Sequence, residues 1–189
     1  MNRCILLLLF LVVLPACALI PQKINLRPDV FVDQINLGQG RKIFLKVEDK
    51  RSTNLIGHRG MIATGDITLA DDPKDIFYQA LTRILSAKGF EVIGDEKEAA
   101  TGLKLTIKDI VYRTQLTILD IGITTIIDAD IDVVNKSHEK YSQDYHTQNE
   151  MRVAVAPPAN QNENMLNQTL NKTLTQIAND DKLFNFLCK

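Results

Sequence analysis

The chain has 189 residues, a length that suits one domain, and its 22 Lys and Arg nearly balance 23 Asp and Glu. That balance excludes a surface built mainly for nucleic acid, which needs a dense basic footprint. Hydrophobic residues make up 45% of the chain, and beyond the N-terminal run no segment approaches the roughly 20 apolar residues that cross a bilayer.

Arg3 precedes an unbroken apolar run, Ile5 to Leu14. This is the n-region and h-region pattern of an export signal, too short for an ordinary spanning helix. Residues 1–16 are therefore expected to be a signal peptide. Leu14-Pro15-Ala16-Cys17 resembles the bacterial lipobox, although Pro15 departs from the commoner small or β-branched residue. In that family of signals the cysteine thiol takes a diacylglycerol, the chain is cut before it, and the new amino group is acylated. The resemblance implies lipidation of Cys17, and Ala18 in place of an aspartate implies the outer membrane. Each buried CH₂ contributes about 0.8 kcal/mol, so more than one acyl chain makes a stable anchor. Cys4 leaves with the signal. The competing arrangement is plain secretion with a Cys17–Cys188 disulfide.

Residues 17–40 contain Pro21, Pro28, Gly38 and Gly40 and no long helical period. They read as a lipid-anchored tether with a weak strand around Asp29 to Ile35, reaching roughly 25 Å. Residues 41–189 read as a single α+β periplasmic domain. Ile43, Leu45 and Val47 alternate as in a strand. The glycine-bearing stretch from Ser52 to Gly65 reads as a loop. Asp72-Pro73 opens a helix whose stripe is Ile76, Phe77, Ala80, Leu81, Ile84 and Leu85, and Gly89 closes it. A short strand follows at Phe90 to Ile93.

Leu103, Leu105 and Ile107 alternate, then the phase slips at Lys108-Asp109 before Ile110 and Tyr112, the mark of a bulge. Ile121 to Val133 alternates strictly, with Asp128, Asp130 and Asp132 on the opposite face. A polar turn at Asn135 to Glu139 leads into a partner strand, Tyr141 to Val155. The last helix, Asn162 to Ala178, has the stripe Met165, Leu166, Leu170, Leu174 and Ile177, and Asp180 caps a short final turn. The expected fold is α+β: an antiparallel meander sheet with two main helices packed on one face.

Several groups invite a chemical reading. Alternate strand residues stand roughly 6.7 Å apart, so Asp128, Asp130 and Asp132 cannot close on one calcium ion. They read as a solvated face paired with Lys104 and Lys108. His138, Asp144 and His146 are the best acid–base or metal candidates, but zinc needs three or four convergent ligands. The plainer reading is exposed polar residues on a hairpin, and His58 likewise reads as an exposed loop residue. Asp49, Arg51 and Arg59 form either a recognition site or an Asp–Arg pair that pins the glycine loop to the strand end. No nucleophile has an evident base, and no phosphate-binding glycine loop is present. Neither a catalytic site nor a cofactor nor a metal is expected.

The stretch VEDKRSTNLIGHRG, through Asp49, Arg51, Ile56, Gly57, Arg59 and Gly60, resembles the pattern of YajG-type bacterial lipoproteins. The order of the later elements is also similar. The resemblance implies an outer-membrane lipoprotein facing the periplasm, without an assigned activity. The function expected is a non-catalytic binding or structural module, held to the membrane by its lipid and working with an envelope protein partner. Its partner or loop-pinning residues are Asp49, Arg51, Gly57, Arg59 and Gly60, and the Asn-rich last helix is a further candidate surface. The alternatives are a cell-wall-active hydrolase using Asp144 and His146, and a small-ligand-binding protein.

Overall fold

The computed structural model describes residues 20–59, 65–99 and 101–189. Its strands are β1 (Gln22–Ile24), β2 (Lys42–Asp49), β3 (Leu55–His58), β4 (Asp66–Leu69), β5 (Glu91–Ile93), β6 (Thr101–Leu116), β7 (Ile121–Asn135) and β8 (Lys140–Val153). Its helices are α1 (Pro73–Ala87), α2 (Ala159–Ala178) and α3 (Asp181–Leu187).

The long strand β6 organises one mixed sheet. Along one edge it pairs antiparallel with β7, which pairs antiparallel with β8. Along the other edge it pairs in parallel first with β2, from Ile43 opposite Thr101 to Asp49 opposite Ile107, and then with β3 at Gly57 opposite Tyr112. β5 lies parallel outside β2, β4 is antiparallel to β3, and β1 is parallel to β4. The expected antiparallel meander is therefore replaced by a mixed sheet. Period-two alternation marks a strand without naming its neighbour, and helix α1 supplies the crossover that lets β2 and β5 run parallel.

The phase slip is a real irregularity: the β6–β7 register shifts between Ile107 and Asp109. The stretch read as a loop instead contains β3, which pairs antiparallel with β4 just beyond it. Gly57 is required there by close approach, since a Cβ would stand 1.8 Å from the Tyr112 carbonyl oxygen.

The helices cover one face. Phe77, Leu81, Ile84 and Leu85 of α1 are buried together with Leu103, Leu105 and Ile107 of β6. Asp72 accepts the Lys74 N–H at 2.9 Å, and Gly89 adopts φ 85° just past the helix, as the capping signals predict. Helix α2 presents its apolar stripe to β7 and β8 and uses the polar residues beside that stripe for hydrogen bonds.

Those bonds overturn the tether. Glu163, Asn167 and Asn171 recur at helical spacing on α2. They accept the N–H groups of Asn25, Arg27 and Asp29 at 3.2, 2.6 and 2.8 Å. Four helical residues rise about 6 Å and two extended residues about 6.6 Å, so the two repeats keep step. Asn167 also donates to the Asn25 carbonyl at 3.0 Å. Ile24 and Leu26 are buried in the core. The strand in this region is β1, not Asp29 to Ile35, and the chain from Gln22 to Gly40 is tied at intervals to α2 and to the end of α1. Sequence periodicity misses this because an extended segment bound by side chains has no apolar rhythm.

Replacing Asn167 and Asn171 with Ala should leave the sheet intact and loosen this segment. Each lost bond is worth about 1 kcal/mol, so amide exchange at Arg27 and Asp29 should speed by roughly five- to tenfold while β6 amides hold.

Candidate functional site

Asp49 ends β2, and Arg51 folds back onto it. Arg51 Nε donates to Asp49 Oδ1 at 3.0 Å and Nη2 to Oδ2 at 2.8 Å, while the Arg51 backbone N–H also reaches Oδ1 at 3.0 Å. The Arg51 side chain is only 5% exposed, so this is a bidentate pair removed from water. Its Nη1 is buried without a partner among the described residues. Lys50 N–H bonds the Ile107 carbonyl and extends the β2–β6 ladder to the turn.

Arg59 points elsewhere. Its Nη2 donates to the Pro157 carbonyl at 3.0 Å and ties the end of β3 to the β8–α2 connection. Gly57 lies against Tyr112, and Gly60 lies outside the described residues. The motif thus supplies three separate packing contacts.

The open face of the sheet carries cross-strand charge rows. Lys104 meets Asp132 at 3.2 Å, and Ser142 donates to Asp132 at 2.8 Å. Lys108 meets Asp130 at 2.5 Å and Asp144 at 3.4 Å. Partial burial, and then the facing Asp144, push Asp130 above its ordinary value against the pull of Lys108. Asp144 is held down by its hydrogen bonds with Asp130 and Lys108. His146 Nδ1 bonds Asp128 at 2.5 Å rather than Asp144. His138 is in the β7–β8 turn with φ 61°, and His58 bonds Asp66 at 3.0 Å. Among the described residues no three His, Cys, Asp or Glu side chains are grouped to hold a metal ion. Exposed pairs of this kind contribute little each.

The more distinctive feature is β8 itself. Along its 14 residues it pairs only with β7 among the described strands. Its inward side meets the second polar flank of α2. Thr147 donates to Gln176, Asn149 to Gln168, and Lys172 to Asn149, each at 3.1 Å. A groove of about 740 Å³ runs beside them, lined by His146, Gln148, Gln168, Lys172, Thr175 and Gln176. Which strand would stand at the edge was not legible from alternation.

A second buried cluster was also missed. Asp180 accepts Tyr145 and Tyr141 hydroxyls at 2.7 and 2.9 Å and the Leu183 N–H at 3.0 Å, capping α3. Burial works against its charge, but these donors outweigh it and hold the Asp180 carboxyl below its ordinary value. Burial, then the hydrogen bond to Asp180, pushes Tyr141 up to about 12. Tyr141 and Tyr145 lie 39 and 35 residues from Asp180 along the chain, too far apart for a local pattern to pair them.

Cys188 is half-buried and unpaired among the described residues, with Sγ 3.4 Å from the Leu37 carbonyl. Cys17, the lipidation candidate and its partner in the disulfide alternative, lies outside the described residues.

A family model described as uncharacterized lipoprotein matches residues 28–188. The chain belongs to that family. No curated protein sequence matches it. Among solved structures, protein XCC0632 from Xanthomonas campestris shares the fold, with a TM-score of 0.62 at 8% identity over 87% of this chain and 97% of that one. Two bacterial lipoproteins match more weakly. The minor lipoprotein of Acinetobacter baumannii has a TM-score of 0.44 at 10% identity, covering 78% and 90% of the two chains. The rare lipoprotein B of Shewanella oneidensis has 0.45 at 10%, covering 77% and 93%. No helix of this lipoprotein among its described residues is long and apolar enough to cross a membrane.

Arg51→Ala would leave Asp49 unpaired and mostly buried, with an expected loss of about 2–4 kcal/mol in chemical denaturation. Asp180→Ala should cost about 1–3 kcal/mol through the cap and the two tyrosines. Because the folded value of Asp180 is depressed, its contribution is present above the unfolded value and is lost as pH falls through the folded one. Acid melts should show that loss in the wild type and a shallower one in Asp180→Asn.

Proposed function

We propose that this chain is a lipoprotein anchored through acylated Cys17 at the outer membrane. Its periplasmic domain acts as a non-catalytic binding module that offers the β8 edge to an extended segment of an envelope protein. The observation that carries the docking role is the long edge of β8, bordered by a polar groove. An added strand would satisfy the free backbone groups of β8, and side chains of the incoming segment would alternate between the charged face and the groove.

The finer placement among YajG-type lipoproteins rests on Asp49, Arg51, Ile56, Gly57, Arg59 and Gly60. The outer-membrane assignment rests on Ala18. Anchoring draws support from membership in a lipoprotein family. With β1 beginning at Gln22, the link to Cys17 is short, so the end bearing β1 and the start of α2 lies close to the lipid. The hydrolase reading has less support, since Asp144 and His146 are committed to Lys108 and Asp128 rather than to each other.

Intact mass of membrane-extracted protein, with Cys17→Ser as control, should show acyl chains on Cys17 alone; an unmodified thiol removes the anchor. A photo-crosslinking residue at Gln148 in cells should yield one discrete envelope adduct that a Thr147→Pro change diminishes. An adduct with a second copy would assign the edge to self-assembly instead, and no adduct under several growth conditions would remove the docking role.

A further inference from the structure

Of the exposed large apolar side chains among the described residues, the two most exposed stand in the β6–β7 turn, while Phe31, 87% exposed, lies elsewhere, just past the point where Asp29 meets Asn171 of α2. In the β6–β7 turn Ile118 is 101% and Leu119 88% exposed, with Leu116 at 55% on the strand beside them. Ile20, two residues ahead of β1, is 58% exposed, and Val155 in the β8–α2 connection is 75% exposed. Short turns are ordinarily built from Gly, Pro, Asn, Asp and Ser, so Ile-Leu at a tip is out of keeping with a turn bathed in water.

The topology puts these residues at one end. Leu116 is opposite Ile121, which is opposite Val153. The chain then enters α2, whose first turn is bonded to Gln22 at the start of β1. Tyr112 and Gln22 both bond Asn162 and so lie at one level. Leu116 is four residues beyond Tyr112, so the strands carry the tip about 13 Å past that level. Cys17 is five residues before Gln22 and reaches at most about 18 Å in the same direction. The two reaches match. The one acid of the turn, Asp120, is engaged by Thr117 at 2.7 Å and by Arg152 at 3.1 Å, which lessens the cost of bringing it toward lipid.

We propose that the β6–β7 tip is a second membrane contact: Ile118 and Leu119, flanked by Leu116 and Ile20, enter the boundary between head groups and acyl chains of the bilayer that holds Cys17. The proposal rests on lipidation of Cys17. A bilayer is favoured as the occupant because the anchored chain end leaves the fold beside the tip and within the same reach. One anchor alone lets the domain swivel. Two contacts set its orientation and hold the Asn135–Glu139 turn and α3 farthest from the membrane.

The test uses the full-length acylated protein with Cys188→Ser and Ile118→Cys, labelled with a polarity-sensitive fluorophore. It is placed in phosphatidylethanolamine–phosphatidylglycerol vesicles containing nitroxide-bearing lipid. A Ser137→Cys label at the opposite end is the reference, and intact mass of the same samples reports Cys17 acylation. Ile118 is fully exposed, so the substitution should leave the thermal melt unchanged. The label there should emit at shorter wavelength and be quenched by nitroxide lipid at least about twofold more than the Ser137 label, with the opposite order for aqueous iodide. Acylated protein whose Ile118 label stays open to iodide overturns the tip contact and leaves the anchor standing. A label shielded from iodide yet untouched by nitroxide lipid means that protein covers the tip, which also overturns it. Absence of acyl chains on Cys17 removes both readings.

Discussion

A fully buried carboxamide must be paired, and Asn162 is fully buried. Its Oδ1 accepts the Tyr112 hydroxyl at 2.7 Å, and its Nδ2 donates to Gln22 Oε1 at 2.9 Å. Gln22 Nε2 in turn donates to the Ala159 carbonyl at 2.6 Å. Burial drives the Tyr112 phenol well above its ordinary value, which keeps it a neutral donor. This chain of bonds joins β6, α2 and β1 in the core. Leaving any member unmatched would expose the others to the cost of an unpaired buried polar group. It therefore sets where α2 meets the sheet, and with that where β1 lies and where the N-terminal segment starts along the helix.

Helix α2 then works as an adaptor. Its apolar stripe is interrupted by buried threonines, one of which, Thr169, bonds Thr125 of β7 at 2.6 Å. One flank holds the extended segment after β1, and the other holds β8. The chain end ahead of β1 and the β8 edge are consequently both referred to one rigid element. The proposed lipid anchor at Cys17 would be flexible, but the docked segment would leave it little chain to swing on. In the proposed arrangement the β8 edge therefore keeps a defined height and direction above the bilayer.

The open face of the sheet has a different character. Its lysines and aspartates meet across strands in the β6–β7–β8 register, and the ion pairs that result are solvated and individually weak. They keep the face charged and close-matched, which discourages sheet stacking. Among the described residues the edge of β8 has no such match for its backbone. That contrast, matched side chains on the face beside peptide groups unmatched among the described strands, is why the proposed docking role falls to the edge.

Much of the local structure was legible in the sequence. Asp72-Pro73 and Gly89 bracketed α1, strict alternation outlined β7, the phase slip at Lys108-Asp109 located the bulge, and Asp180 marked the start of α3. These signals are local because capping, period and turn preference act over a few residues. The lipobox resemblance at Cys17, on which the proposed anchor rests, is likewise a local pattern. The mixed sheet, the docking of the chain from Gln22 to Gly40, and the separate destinations of Asp49, Arg51 and Arg59 were decided only in three dimensions. The Asn-rich helix read as a candidate partner surface, yet Asn167 and Asn171, with Glu163, bind a segment of the same chain, since polar residues read alike whatever their partner. Parallel pairing, buried hydrogen-bond chains and the identity of the edge strand depend on contacts between residues far apart in the chain, and one-dimensional periodicity carries no information about such partners.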